Sequence, residues 1–128
     1  MKATIMNKRP VYLNLLKIHL PIGGILSIAH RISGFFLFLL IPLWIYLLDL
    51  SLQNEQGFSD VKQLLDGWFF KLVVIACLWA LIHHFLAGIR HLLLDMDIGI
   101  EKQAATKSAW IVFIVEAVLV LIMIGVIL

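Results

Sequence analysis

Three long apolar runs organise this chain, with polar residues sparse inside them and crowded between them. The first extends roughly over residues 25–48, with no charge between Arg31 and Asp49. The second covers roughly residues 68–94, and the third roughly 108–128, interrupted only by Glu116. About 20 apolar residues cross a hydrocarbon core of about 30 Å as a helix, so each run is long enough to span. The pattern predicts an all-α membrane protein of three transmembrane helices, forming one domain over residues 1–128. Between the spans, "DLSLQNEQGFSD" reads as a polar surface connection and "DMDIGIEKQAATK" as a short loop or helical turn. Ahead of the first span, "RPVYLNLLKIHLPIGG" carries Val11, Leu13, Leu16 and Leu20 among its apolar residues in a short segment bracketed by Pro10 and Pro21. That is too little to cross, and it predicts a short amino-terminal segment lying at the interface.

Composition strengthens the membrane reading. Of 128 residues, 62% are hydrophobic and 14% charged. A soluble domain of this size could not hide that much apolar surface. The net charge of +2 fits a basic membrane rim, and nothing resembles a nucleic-acid footprint. Lys2, Lys8, Arg9, Lys17 and Arg31 precede the first apolar core; Arg90, Lys102 and Lys107 flank the second loop, whereas the first loop offers only Lys62 and Lys71. The positive-inside rule therefore places the amino terminus and second loop in the cytoplasm and the carboxyl terminus outside. The charged first twenty residues suit neither a signal peptide nor a mitochondrial transit peptide, which favours a bacterial cytoplasmic (inner) membrane. Cys77, alone and inside a span, reads as a buried inert thiol.

The stretch "ALIHHFLAGIRHLLLD" carries three histidines and an arginine where such groups are costly. Ala80, His84, Gly88 and His91 share one helical face, and His83 is rotated about 100° from His84. The small residues leave that face low beside His84, so a flat ligand could approach the backbone there. In the first span, Ser27, His30, Arg31 and Gly34 also fall on one side. With the two spans antiparallel, Ser27, His30, Arg31, Arg90, His91 and Asp95 gather near the cytoplasmic boundary, and His84 lies deeper. That arrangement suits a haem b: His84 as one axial ligand, with His30, Arg31 and His91 toward the propionates. His30 is expected to sit about one and a half turns too shallow to be the opposing ligand, so the second imidazole should come from another polypeptide. Plainer roles compete. Intramembrane histidines hydrogen-bond across helices, arginines snorkel to the interface, and glycines serve close packing. His83 in particular reads as a packing or helix-pair residue.

"RP" at 9–10, "SIAHRISG" at 27–34 and "HHFLAGIRHLLLD" at 83–95, in this order and separation, resemble the cytochrome b556 membrane-anchor subunits of succinate dehydrogenase. The resemblance covers nearly the whole chain. It implies His84 as the axial haem histidine, Ser27 and Arg31 as quinone-binding residues, and His30 with Arg31 beside the propionates. His83 is an extra histidine that the motif does not require. The resemblance further implies one axial ligand from a second small membrane-anchor subunit and ubiquinone as substrate. An iron–sulfur subunit and a flavoprotein subunit would hold the iron–sulfur clusters and FAD, because this chain has no motif for either. It would then dock those subunits and carry no succinate oxidation alone. Ser27 and Arg31 could stabilise negative charge developing on a quinone oxygen during reduction. Asp95 stands at the possible periphery of that site.

Glu116 belongs to no part of this motif, and pairing with the sister subunit is the expectation for it. Two other readings stay open: a structural anchor without haem, and a small membrane transporter using Glu116.

Overall fold

The computed structural model describes residues 19–128. The interfacial segment expected ahead of Pro21 lies almost entirely outside them, as do Lys2, Lys8, Arg9 and Lys17. Four helices follow: α1 (Ile22–Gln53), α2 (Glu55–Asp66), α3 (Trp68–Asp95) and α4 (Lys102–Ile127). Of these, α1, α3 and α4 are long and apolar enough to cross a membrane. The expected spans are all present, and each helix extends past its apolar run at one end or both. Thus α4 begins six residues before Ser108, because Gln103, Ala104 and Ala105 are ordinary helix formers that hydropathy does not register.

α3 packs between α1 and α4 and runs antiparallel to both. The turn from α3 into α4 is sharp. Asp97 takes a left-handed conformation (φ 61°), while Ile98 N–H reaches back to Leu93 O at 2.9 Å and Asp97 N–H to Leu94 O at 3.0 Å. This doubly hydrogen-bonded stop satisfies the last carbonyls of α3, and Asp tolerates the backbone that glycine would otherwise supply. Leu26 of α1, Ala87 of α3, and Ala109 and Val112 of α4 meet as the buried core, with Phe113 and Leu86 against it. Small residues at this junction let the backbones approach closely, which is how helices associate where lipid tails are as apolar as leucine. Most other large apolar side chains, Phe35, Phe38, Leu121 and Val126 among them, are exposed on the outer surface.

The first connection, expected as a polar surface stretch, is itself largely helical. Asn54 ends α1 and caps α2, its Oδ1 accepting from Gly57 N–H at 2.8 Å. Gly57 and Val61, one turn apart, are buried, with Gly57 seated against the Leu50 carbonyl where no Cβ would fit. Twelve residues make a marginal helix alone, so docking through that small face is what holds α2.

Candidate functional site

α3 carries two polar faces, and they serve different neighbours. Ala80, His83, Ala87 and Arg90 form its buried stripe, and both polar members are turned to α4. His83 is fully buried, and its Nδ1 donates to Glu116 Oε2 at 2.8 Å. The ring is flanked by Trp79 at 5.9 Å between centroids and by Phe113 at 5.9 Å. Its Nε2 is buried with no partner among the described residues. Arg90, 7% exposed, donates from Nε to Ser108 Oγ and from Nη2 to Ala105 O, each at 2.9 Å. Two expectations change here. Glu116 pairs within this chain rather than with a sister subunit, and Arg90 gives its hydrogen bonds to α4 while its guanidinium stays beside Gly23 of α1. Ala80 likewise belongs to the buried stripe of His83, not to the surface around His84.

The second face, His84–Gly88–His91, meets α1. The His84 ring lies against Gly34, where an added Cβ would stand 2.7 Å from Cε1. Its Nδ1 is 3.1 Å from the carbonyl oxygen of His30, which can only accept, so Nδ1 carries the proton. Ser33, wholly buried, donates its hydroxyl to the same carbonyl at 2.8 Å and lies 3.4 Å from His84 Nδ1. With Nδ1 protonated, the neutral ring keeps its lone pair on Nε2, the form that binds a metal. Among the described residues nothing hydrogen-bonds to that nitrogen.

His30 stacks on His84 with centroids 4.1 Å apart and planes 6° from parallel, and meets His91 at 5.1 Å. It sits over Gly88, where an added Cβ would be 3.4 Å from Nε2. So His30 is level with His84 rather than shallower. The physical reason is axial register: Gly23, at the start of α1, lies beside the Arg90 guanidinium, leaving the end of α3 beyond it. The notch at Gly88 therefore receives an imidazole instead of a flat ligand, and Gly34 does the same for His84. The two stacked rings present π faces to each other, so their nitrogens do not converge on a point between them.

Ser27 is half-buried and Arg31 is exposed, so the α1 stripe divides: His30 and Gly34 face α3, and Arg31 points out of the bundle. Asp95, the exposed last residue of α3, lies outside this layer. The register of Gly23 with Arg90 and His30 with His84 sets it roughly 12 Å along the axis from Ser27. Ser33 went unrecognised from sequence, and so did Glu116 as the partner in the helix-pair role expected of His83. Ser33 is one turn from His30 on its inner side, and a buried hydroxyl there needs a carbonyl. His83 and Glu116 stand about equally far from the α3–α4 turn, 12 residues before Asp95 and 14 after Lys102, which places them at matching depth.

The model of the succinate dehydrogenase/fumarate reductase transmembrane subunit matches residues 6–123. The chain belongs to that family. Among relatives named succinate dehydrogenase cytochrome b556 subunit, that of Coxiella burnetii is 44% identical over 117 residues, covering 90% of this chain and 93% of its own. The Paracoccus denitrificans protein is 33% identical over 79% of this chain and 78% of its own, and the Rickettsia felis protein 30% over 95% of each. As a transmembrane subunit of succinate dehydrogenase/fumarate reductase, the chain is membrane-embedded and works as one part of an enzyme complex, not as an enzyme alone.

Proposed function

We propose that this subunit supplies His84 as one axial ligand of a haem b shared with a second membrane-anchor subunit, and Ser27 and Arg31 to a quinone-reduction site. The observation that carries the reading is the His84 Nδ1 bond to the His30 carbonyl at 3.1 Å. It fixes the tautomer and holds the ring, leaving Nε2 free to bind iron, as outer-shell partners of metal-bound histidines do. Among the described residues His83 is also bonded through Nδ1 with Nε2 unpartnered, but its ring is wholly buried against α4, whereas the His84 ring is partly exposed. One accessible imidazole held this way supports a second chain as donor of the other. His30 and His91 have no ring hydrogen bonds among the described residues, so they and Arg31 are available to the haem propionates. The haem, when bound, supplies a one-electron reservoir beside the quinone.

Ser27 offers a neutral hydrogen bond to a quinone carbonyl, and Arg31 a charge-assisted one that strengthens as the oxygen gains negative charge. Succinate oxidation would take place in a flavoprotein subunit and reach the quinone through an iron–sulfur subunit docked on the cytoplasmic side, with the carboxyl terminus periplasmic in a bacterial inner membrane. The transporter alternative loses its footing, because Glu116 Oε2 is engaged by His83. The reduced-minus-oxidised spectrum of the assembled complex tests the haem assignment. His84→Leu should abolish the six-coordinate b-type signal and His83→Phe should retain it. The reverse outcome would exchange the two roles, and no b-type signal in the wild-type complex would leave the haem-free anchor.

A further inference from the structure

The buried His83–Glu116 pair lies outside the proposed ligand set and joins α3 to α4. We infer that it is a positioning device: it fixes the rotation of α3 about its own axis and thereby sets the plane of the neighbouring His84 imidazole. The inference rests on His84 being the haem ligand.

The geometry is that of a helix held at two points on one side. His83 is clamped to α4 by its Nδ1–Glu116 bond of 2.8 Å and by Trp79 and Phe113 on its flanks. Seven residues on, Arg90 is clamped to the same helix at Ser108 and Ala105. The two clamps are about 10 Å apart along α3, so they resist rotation and sliding together. Apolar contacts could not do this as well, because they are non-directional and slide at little cost, whereas a hydrogen bond weakens steeply away from its preferred angle.

His84 follows His83 in sequence and projects about 100° away around the helix. A rotation of α3 by roughly 20° would carry a side-chain tip, some 6 Å from the axis, through about 2 Å. That displacement exceeds what the 3.1 Å contact to the His30 carbonyl can absorb. The ring would lose its carbonyl partner and turn about χ2. The unpartnered His83 Nε2 is consistent with a residue kept for the direction of one bond rather than for full satisfaction of its ring.

The test uses the assembled complex with Glu116→Gln, Glu116→Leu, and the double variant His83→Phe with Glu116→Leu. Gln keeps an acceptor for the His83 N–H. The double variant replaces the pair by apolar groups of similar size, a change that buried pairs commonly tolerate. The readouts are haem per complex, the largest g value of the oxidised low-spin haem, which reports the angle between the two axial imidazole planes, and the haem midpoint potential. Glu116→Gln should match wild type. Glu116→Leu and the double variant should retain one haem per complex but shift the g value beyond the wild-type linewidth, with a displaced potential. An unshifted g value in the double variant would overturn the inference. So would failure of the double variant to assemble, since the pair would then be a requirement of folding. His84→Leu, run alongside, separates the two levels: a normal six-coordinate haem there would remove the ligand assignment itself, whatever the Glu116 variants do.

Discussion

Gly34 offers a quantitative test of how tightly α1 is fitted around His84. A methyl group placed there would stand 2.7 Å from His84 Cε1 and 3.1 Å from Nδ1. The ring cannot simply retreat, because His30 is stacked on it at 4.1 Å and the His30 carbonyl holds Nδ1. Gly34→Ala therefore forces the ring to shift or the helices apart. Overpacking of this kind costs about 1–3 kcal/mol, and losing the Nδ1 bond costs roughly 1 kcal/mol more. Against this, alanine gains about 1 kcal/mol over glycine inside a helix. The net is about 1–3 kcal/mol, or roughly 5- to 150-fold in the population holding His84 in place. The comparison within the chain is sharper than the absolute figure. Gly88→Ala meets only His30 Nε2 at 3.4 Å, and Gly125→Ala meets nothing within 4 Å. In purified complex, the temperature of haem loss and the amplitude of the b-type spectrum should fall most for Gly34→Ala, slightly for Gly88→Ala, and not at all for Gly125→Ala. A Gly34→Ala complex as stable and as fully haem-loaded as wild type would refute the packing described around His84.

Ser27→Ala and Arg31→Leu should each cut succinate-dependent quinone reduction at least tenfold, while succinate oxidation by an artificial acceptor at the flavin stays at the wild-type rate. Equal loss of both rates would indicate failed assembly, and an unchanged quinone rate would remove the residue from the site. Arg90→Lys should destabilise the complex by about 1–2 kcal/mol, because one ammonium cannot reproduce the forked contacts to Ser108 and Ala105; a melting temperature equal to wild type would count against those contacts. Asn54→Ala removes the cap of α2 and should cost about 1 kcal/mol there, seen as faster amide exchange confined to residues 55–66, and unchanged exchange would refute the cap.

The spans and the faces of α3 were legible because both depend on short-range periodicity. Hydropathy located α1, α3 and α4, and 3.6 residues per turn put His84 with Gly88 and His91 and sent His83 elsewhere. Axial register between helices was not legible, and it decided the rest. It depends on where α1 begins, at Ile22 after Pro21, and on how α3 stops, in the left-handed turn at Asp97. Neither boundary shows in an apolar run. The expectation of a shallower His30 therefore fails, and it lies beside His84. The helix α2 was not legible for a related reason: its polar composition reads only as a surface connection, and its small buried face becomes meaningful only against the carbonyl of Leu50.

The two faces of α3 divide fixed structure from shared structure. Toward α4, polar groups are matched within the chain: His83 with Glu116, and Arg90 with Ser108 and Ala105. Toward α1, the match is partial. His84 is held through Nδ1 alone, and Arg31 is exposed on an apolar surface. Unmatched polar groups at membrane depth are costly when they face lipid. Although His83 Nε2 is also unpartnered toward α4, each of those polar side chains has at least one partner. Arg31 has none among the described residues, and leaving it so would gain this chain nothing unless a ligand and a second protein complete the α1 side. This asymmetry leads us to expect assembly before function: α3 and α4 are already joined by hydrogen bonds within the chain, and the α1–α3 side would be a half-site. On that reasoning, α3–α4 contacts should persist in the isolated subunit, measurable as protection of α4 amides from exchange, while six-coordinate haem should require the partner anchor. A six-coordinate haem in the isolated chain would show that the half-site is complete without a partner.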